Sequence, residues 1–364
     1  MPNEFLTPQI IANEALMVLE SNLTMANLVH RDYSSEFVKV GDTITVRKPA
    51  KFVAKNFTGE TQKQDATEGS TTVKLDRFRD ITVEVTSKEL TLDIKDFSKQ
   101  IVEPAMTAIA QAIDTDLLAV GIEKAGKKAT VSATPVISDI AGVGKALDVS
   151  KAPRDNRRLV LPPEILYKYN TIDNFAKQAY KGDSEALKNA EIGKVYTCDT
   201  FMSQNCPENQ SATPGTVTAF KVTGVANATQ FTVSAGSPAT GTVKQGDQLI
   251  VNGYLYTCVE DLTLSSGAGT LKVDQNIPAT ISTAVDAKII NKAHALGFHR
   301  NGLALVTRNL ELPMGASNAH IASANGIGVR VVIDYDSTHK VDKVSFDVIY
   351  GIKELDKNLL VDFS

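Results

Sequence analysis

Tryptophan is absent from the 364 residues, and aromatic side chains make up only 6% of them. A sugar or quaternary-ammonium site walled by stacked rings is therefore not expected. Cysteine is nearly as scarce. Cys198, Cys206 and Cys258 are an odd number without metal-type spacing, which argues against a disulfide framework or a zinc cluster and predicts reduced thiols. No apolar run approaches the roughly eighteen residues of a membrane span. The opening MPNEFLTPQIIANEALM carries Glu4 and Glu14 where a secretory signal would carry Lys or Arg, so a chain made and folded in the cytosol is expected. An excess of one charge is also missing: 38 Lys and Arg face 42 Asp and Glu, for a net charge of -4. A protein that gripped DNA or an anionic membrane by bulk electrostatics would lean to the basic side.

What is present is enough to fold. With 43% hydrophobic and 22% charged residues, a chain of this length buries a sizeable core in two or three domains, which excludes disorder throughout. From Pro8 to His30, apolar residues at Ile11, Ala15, Val18, Leu19, Leu23, Ala26 and Leu28 keep close to a helical period, with Glu14 and Glu20 on the polar side. GDTITVRKPAKF then alternates Ile44 and Val46 with polar residues until Pro49, one arm of a hairpin. The returning arm is read through Val73 and Leu75 to Ile81, Val83 and Val85, across a polar tip around NFTGETQKQDATEGSTT that its own side chains cannot pack. From Gly41 to Asp96, ten basic residues, among them Lys48, Lys51, Lys55, Lys63, Arg77 and Arg79, are balanced by ten acidic ones, among them Glu60, Asp65 and Glu68. Interspersed charges with zero sum suit a protein partner better than a phosphate backbone.

DFSKQIVEPAMTAIAQAIDTDLLAVGIEKA, Asp96 to Ala125, is the strongest helix signal. It has candidate N-caps at Asp96 and Ser98, Pro104 near its first turns and Gly126 beyond its end, and it is apolar over more than half its circumference. RRLVLPPEILYKYN predicts a strand from Leu159 to Leu161 and a helix opened by Pro162 and Pro163, with another helix in IDNFAKQAY, so this region is mixed α/β. The composition then shifts. From Ala212 to Ile290 only nine of 79 residues are charged, while thirteen are Thr and eight are Gly. Short alternating runs such as QFTVSA and QLIVNGYLYTCV predict an inserted all-β module of about six strands. FHRNGLALVTRNLELP returns to the α/β character, and a hairpin spanning roughly Arg330 to Tyr350 closes the chain.

Motifs for chemistry are incomplete. GIEKAGKK, Gly121 to Lys128, follows a P-loop up to Lys127, but Lys128 stands where Ser or Thr would hold magnesium, and it lies at a helix end. Gly142-Val143-Gly144 and Gly326-Ile327-Gly328 lack the third glycine of a dinucleotide fingerprint and read as flexible connections. GASNA, Gly315 to Ala319, lacks the last glycine of a nucleophile elbow. The five histidines have no ligand spacing. Lys151, Arg154, Arg157 and Arg158 form the one basic cluster, read as a solvated turn or a subunit ion pair ahead of a nucleic-acid contact. No catalytic, cofactor or metal residue is assigned.

The order of the parts carries more than any motif. GDTITVRKP, the KQIVEPAMTAIAQAIDTDLL segment, VKQGDQLIVNGYLYTC and FHRNGLALVTRNLELP, in this order and spacing, resemble the major capsid proteins of tailed bacteriophages with the HK97-like fold. Within that group the chain looks most like the P-twenty-two-type coat proteins, which carry an inserted β-barrel domain. The resemblance implies an α+β fold with an N-arm (1–35), an E-loop and the start of the P-domain (36–95), and a spine helix (96–126). An A-domain region (127–209), the inserted β domain (210–292) and a return through the A- and P-domains (293–364) would follow. It further implies self-assembly into hexamers and pentamers of an icosahedral head around double-stranded DNA bound without sequence specificity. A scaffolding protein and a portal are the implied partners, with neither cofactor nor membrane, and the implied location is the virion, assembled in the host cytoplasm. The inter-subunit candidates are Lys48, Lys51, Lys55, Glu60, Lys63, Asp65, Glu68, Arg77 and Arg79; Glu14 and Glu20 are candidates for a basic scaffold segment. An encapsulin-like compartment shell and a tail or adhesin protein using the β module stay open as alternatives.

Overall fold

The computed structural model describes residues 8–31, 43–48, 69–86, 98–132, 134–172, 193–209, 211, 214–217, 219–234, 240–290, 292–313, 318–324, 327–336, 338–339 and 341–364. The chain divides into two compact units. The first takes residues 1–22, 31–110 and 304–355; the second takes 23–30, 111–303 and 356–364.

In the first unit, helix α1 (Pro8–Asn22) buries Ile11, Ala12, Ala15, Leu16 and Leu19, a row three to four residues apart that makes one face. That face lies on strands β18 (Asn318–Ala324) and β19 (Ile327–Asp336). Strand β20 (Val341–Glu354) pairs antiparallel with β19 on one side and with β3 (Arg77–Thr86) on the other. Its Val344, Phe346, Val348 and Tyr350 are buried, and the β3 residues opposite them include Val83, Ile81 and Arg79. The hairpin from Arg330 to Tyr350 is thus present as β19 and β20.

The arm differs from its expected form. Strand β1 (Thr43–Lys48) pairs with β2 (Gly69–Lys74), from Thr43 opposite Lys74 to Lys48 opposite Gly69. The returning arm then divides, because β3 pairs with β20 over ten residues and not with β1. The six residues of β1 are taken up by the six of β2, whereas Ile81 and Val83 gain burial opposite Phe346 and Val344 of β20. Gly351 permits a close approach between the two parts: a Cβ there would stand 2.2 Å from the Lys74 carbonyl oxygen. Gly351→Ala is expected to cost about 1–3 kcal/mol through this overlap, read as a lower unfolding midpoint in urea. An unchanged midpoint would show that β2 does not depend on this contact.

Helix α3 (Glu103–Glu123) begins later than the sequence reading placed it. A π-helical turn, Ser98–Val102, precedes it. Pro104 has no N–H, which suits the first turn of an α-helix and not its interior. The helix is about 32 Å long at ~1.5 Å per residue, and its most apolar stretch is 72% buried within the chain.

The second unit holds α2 (Met25–Leu28), α4 (Ile137–Val149), α5 (Pro163–Asn170) and a six-stranded mixed sheet. The sheet order is β4 (Lys127–Ala129), β21 (Leu360–Phe363), β16 (Ala295–His299), β5 (Arg157–Leu161), β7 (Cys198–Met202) and β6 (Lys194–Val195). Ile140, Val143 and Leu147 of α4 and Ile165 and Tyr169 of α5 pack with Leu159, Leu161, Val361 and Phe363 into one core. Gly297 admits α4, since a Cβ there would lie 2.4 Å from Val143 Cγ1. Strand β17 (Leu303–Arg308) follows β16 after a 3-10 turn at Arg300–Gly302.

Between β7 and β16 lies a second sheet with its own core. Its order is β12 (Tyr254–Thr257), β11 (Gln248–Val251), β15 (Ile281–Ile290), β8 (Ala219–Gly224), β9 (Gln230–Val233) and β14 (Gly269–Lys272). Beside it, β10 (Gly241–Val243) pairs with β13 (Leu262–Leu264). The described residues therefore hold eight strands where about six were expected; three-residue strands are too short to register as a period. Asn252 and Gly253, with φ of 51° and 77°, join β11 to β12 in the left-handed conformations of a type I′ hairpin turn. The core comprises Phe220, Phe231, Leu249, Tyr256, Leu271 and their neighbours, with Phe231 and Tyr256 edge to face at 5.1 Å. The stretch leaves and returns at one place, where His294 N donates to the Pro207 carbonyl at 3.0 Å.

Candidate assembly surfaces

The groups able to do chemistry are mostly engaged in holding the fold. All three cysteines are free and buried. Burial pushes the Cys198 thiol up to about 11 and the Cys258 thiol up to about 12, so both remain protonated and weakly nucleophilic at neutral pH. His294 Nδ1 lies 2.7 Å from Asp362 Oδ1, and Lys288 Nζ donates to Asp362 Oδ2 at 2.7 Å. His299 Nδ1 accepts from Asn301 N at 3.2 Å. Among the described residues no group of three His, Cys, Asp or Glu side chains is placed to hold a metal ion.

The incomplete motifs resolve into structural parts. GIEKAGKK is the end of α3, a turn and the start of β4; the Glu123 carboxylate accepts from Gly253 N, and Gly126 N donates to the Lys357 carbonyl at 2.8 Å. Gly142 and Gly144 were read as a flexible connection, but they lie inside α4, where a Cβ on Gly144 would stand 3.3 Å from the Tyr196 carbonyl oxygen. Gly328 lies in β19, and Gly326 falls outside the described residues. Residues 315–317 of GASNA also fall outside them, while Asn318 and Ala319 open β18.

The basic cluster does not form a single surface. Arg157 is fully buried, and its guanidinium donates to the carbonyls of Ala152 and Pro153, to Thr197 Oγ1 and to Asp148. Arg158 donates to the carbonyls of Asn27 and Leu28. Arg154 is the outward member, 3.6 Å from Asp148, with its side chain 75% exposed. A small polar cavity of about 350 Å³ is lined by Thr115, Gln204, Asn205, Cys206, Glu208, Asn209, Gln248 and Leu255. Burial, reinforced by the Glu164 carboxylate, raises the Glu208 carboxyl above its ordinary value.

The inter-subunit candidates are dispersed. Lys48 ends β1 opposite Gly69. Lys51, Lys55, Glu60, Lys63, Asp65 and Glu68 lie outside the described residues. Arg77 and Arg79 share the inward row of β3; Arg77 is 5% exposed, and Arg79 Nε donates to Tyr350 Oη at 3.3 Å. Glu14 and Glu20 are both half-buried on α1. Six residues apart, they point about 120° from each other around the helix and do not share a face.

Two outward faces were missed in the sequence. Ile10 and Met17 are 51% and 66% exposed on α1. Their seven-residue spacing is a detectable signal, hidden because the stronger apolar row of the same helix points inward. The second is the outer face of the β3–β20–β19 sheet. There Phe78 is opposite Ile349, Asp80 opposite Asp347, and Glu84 opposite Lys343. Arg330 Nε reaches Asp347 at 2.9 Å, and Lys343 Nζ reaches Asp336 at 3.0 Å. These rows depend on which strands are neighbours, which no local pattern reveals.

No protein-family model and no curated protein matches the sequence. Solved structures do match. A chain of Mycobacterium phage Che8 is 13% identical, with a TM-score of 0.57 over 94% of this chain and 91% of that one. A chain from the capsid structure of the cyanophage P-SCSP1u is 11% identical, with a TM-score of 0.54 over 94% and 87%. One from the mature capsid of bacteriophage PhiM1 is 8% identical, with a TM-score of 0.51 over 89% and 82%. At these identities the likeness establishes the fold: the chain is α+β, with the HK97-like major capsid fold.

Proposed function

We propose that this chain is a major capsid protein, a structural and non-enzymatic subunit that assembles into hexamers and pentamers of an icosahedral phage head around double-stranded DNA. The observation that carries the reading is the fold shared along some nine-tenths of the chain with the phage structures above. The physical mechanism is many modest contacts between copies, which closed symmetry multiplies while each stays weak enough to be reversible. The near-neutral balance of 38 basic and 42 acidic residues agrees with a wall that does not adhere to its packaged genome.

Within this reading, residues 1–35 serve as N-arm, 36–95 as E-loop and start of the P-domain, and 96–126 as spine helix. Residues 127–209 and 293–364 build the A- and P-domains. Residues 210–292 form an inserted β domain of the P-twenty-two type, a reading supported by the separate core and by the hydrogen bond between His294 and Pro207 where the stretch begins and ends. The inter-subunit contacts run through the arm, from Lys48 to Glu68, while Arg77, which is buried, and Arg79, bonded to Tyr350, lie on the inward row of β3. Scaffolding protein and portal are the further partners, and the virion is the destination. Glu14 and Glu20 meet a basic scaffold segment; reversing both charges should abolish scaffold-directed assembly, and unimpaired assembly would remove them from that role.

The chain expressed with its scaffolding protein is expected to give closed shells of uniform diameter by electron microscopy. Monomers and irregular aggregates under all conditions would overturn the proposal. Shells that form unaided and enclose a neighbouring enzyme instead of DNA would favour a compartment shell.

A further inference from the structure

The second sheet and its core form a body of their own within the second unit. Cys258, just after β12, bridges Val273, just after β14, so the two ends of the six-strand order meet and the sheet closes around Phe231, Leu249 and their neighbours. The entering chain is fixed to that body: Glu208 N donates to Gln248 Oε1 at 2.9 Å, Asn209 Nδ2 to Asp247 Oδ1 at 3.0 Å, and Gly215 N to Asp247 Oδ2 at 3.0 Å. The chain therefore enters beside Pro207 and leaves beside His294, and these two residues share a hydrogen bond. Two crossings at one point are the geometry of a hinge. The polar cavity between Thr115 of α3, residues 204–209 and Gln248 and Leu255 of the sheet stands where a fixed joint would be packed.

The angle at this point is held from the end of α3. Val251 pairs with Tyr254, so Gly253 N lies in the turn beyond the β11–β12 ladder, and it donates to the Glu123 carboxylate. A carboxylate in the last turn of a helix opposes the helix dipole. Its bonds to Gly253 N and to Lys124 Nζ offset that cost. The second tie lies on the strand next to β11, where Lys288 is opposite Ile250. Lys288 Nζ reaches the Ile122 carbonyl at 3.4 Å and Asp362 Oδ2 at 2.7 Å. That carbonyl is one of the last four of α3, which have no acceptor role inside the helix, and a cation there follows the dipole.

We propose that the second sheet is a hinged wing, which turns as a rigid body about Pro207 and His294 and is held at its observed angle by a clasp of Glu123 and Lys288 on the end of α3. Both ties are polar and lie outside the core of the wing, so opening the clasp leaves that core intact. A shift of the last turn of α3 breaks both ties together, which makes the angle of the wing responsive to that helix.

Spin labels on the full chain test this. Lys145→Cys on α4 and Thr232→Cys on β9 are exposed positions in the core and the wing, and the native cysteines are buried. Labelled chain is diluted with unlabelled chain so that only distances within one copy are read. A single narrow distance distribution is expected with Glu123 in place. Glu123→Ala is expected to raise a displaced population at least about tenfold, the effect of losing one hydrogen bond to a charged group. Glu123→Gln keeps an acceptor for Gly253 N and should restore most of the narrow distribution. Lys288→Met, which opens the other tie, should broaden it as well and serves if Glu123→Ala does not fold. Unchanged distributions in both clasp variants, equal broadening in Glu123→Gln and Glu123→Ala, or lost hydrogen-exchange protection at the Phe231 and Leu249 amides of a broadened variant would each overturn the proposal. The hinge is a property of the single chain, so failure to form shells would not affect it.

Discussion

Arg157→Ala is expected to destabilise the second unit by about 3 kcal/mol, because each buried neutral acceptor left without a donor costs about 1–3 kcal/mol while the exposed Asp148 is taken up by water. Arg157 is fully buried, and its guanidinium serves four acceptors at once: Pro153 O at 2.6 Å, Ala152 O and Asp148 Oδ1 at 2.7 Å, and Thr197 Oγ1 at 3.2 Å. Truncation strands these acceptors and leaves a void beneath β5. It also releases a strained turn. Tyr196 and Thr197 join β6 to β7 with φ of 44° and 72°, left-handed values that a β-branched residue adopts only when its surroundings impose them. Faster hydrogen exchange along residues 194–199 should therefore accompany the lower unfolding midpoint. Arg157→Lys keeps the charge but loses the planar fork, and it should recover less than half of the loss. An unchanged midpoint in Arg157→Ala would show that the network contributes nothing net.

Asp362→Ala is expected to cost a similar amount, about 3–5 kcal/mol, because it leaves Lys288 and His294 facing a dry gap. Asp362 is 1% exposed and accepts from both, and Lys288 Nζ also lies 3.4 Å from the Ile122 carbonyl oxygen. The carboxylate thus ties β21 to Lys288 of β15, the last strand of the second sheet, and the same Lys288 ammonium reaches the end of α3. Burial alone would raise its carboxyl, but the His294 hydrogen bond and charge, together with Lys288, hold it below the ordinary value. A depressed carboxyl contributes stability that is present above 3.8 and is lost as pH falls through its folded-state value. The unmodified chain should accordingly lose this contribution only in strong acid, and Asp362→Ala should flatten that part of the stability profile. Pairing Asp362→Leu with Lys288→Met removes the carboxylate and one of its two partners, and should restore part of the stability while His294 stays without its acceptor. If the double variant were as unstable as Asp362→Ala, the unpaired Lys288 would not be the source of the loss.

Much of the secondary structure could be read locally. The row from Ile11 to Leu19 marks α1, Pro162 and Pro163 mark the start of α5, and Asn252-Gly253 marks the β11–β12 turn, because each signal lies within one element. The candidate surfaces were less legible. Arg77 and Arg79 were candidates for contacts between subunits, yet they fall on the inward row of β3 because the strand's register with β20 sets which side chains turn to the core. Arg157 and Arg158 looked like a cluster, but successive residues of a strand point to opposite faces, one into a buried network and the other to the segment 23–30.

By itself the sequence determined where chain periodicity changes: an apolar helical row, a charge-balanced arm, a charge-poor stretch of short strands, and few cysteines and no tryptophan with which to build a stacked or metal-bound site. Only the tertiary structure decided that β3 leaves the arm for β20, that Pro207 and His294 meet across a whole sheet, and that Asp114 caps a helix some ninety residues earlier in the chain. Periodicity records which face of an element avoids water. It carries no label for the distant element that will cover that face, because that choice depends on register, packing and the satisfaction of buried polar groups across the whole chain.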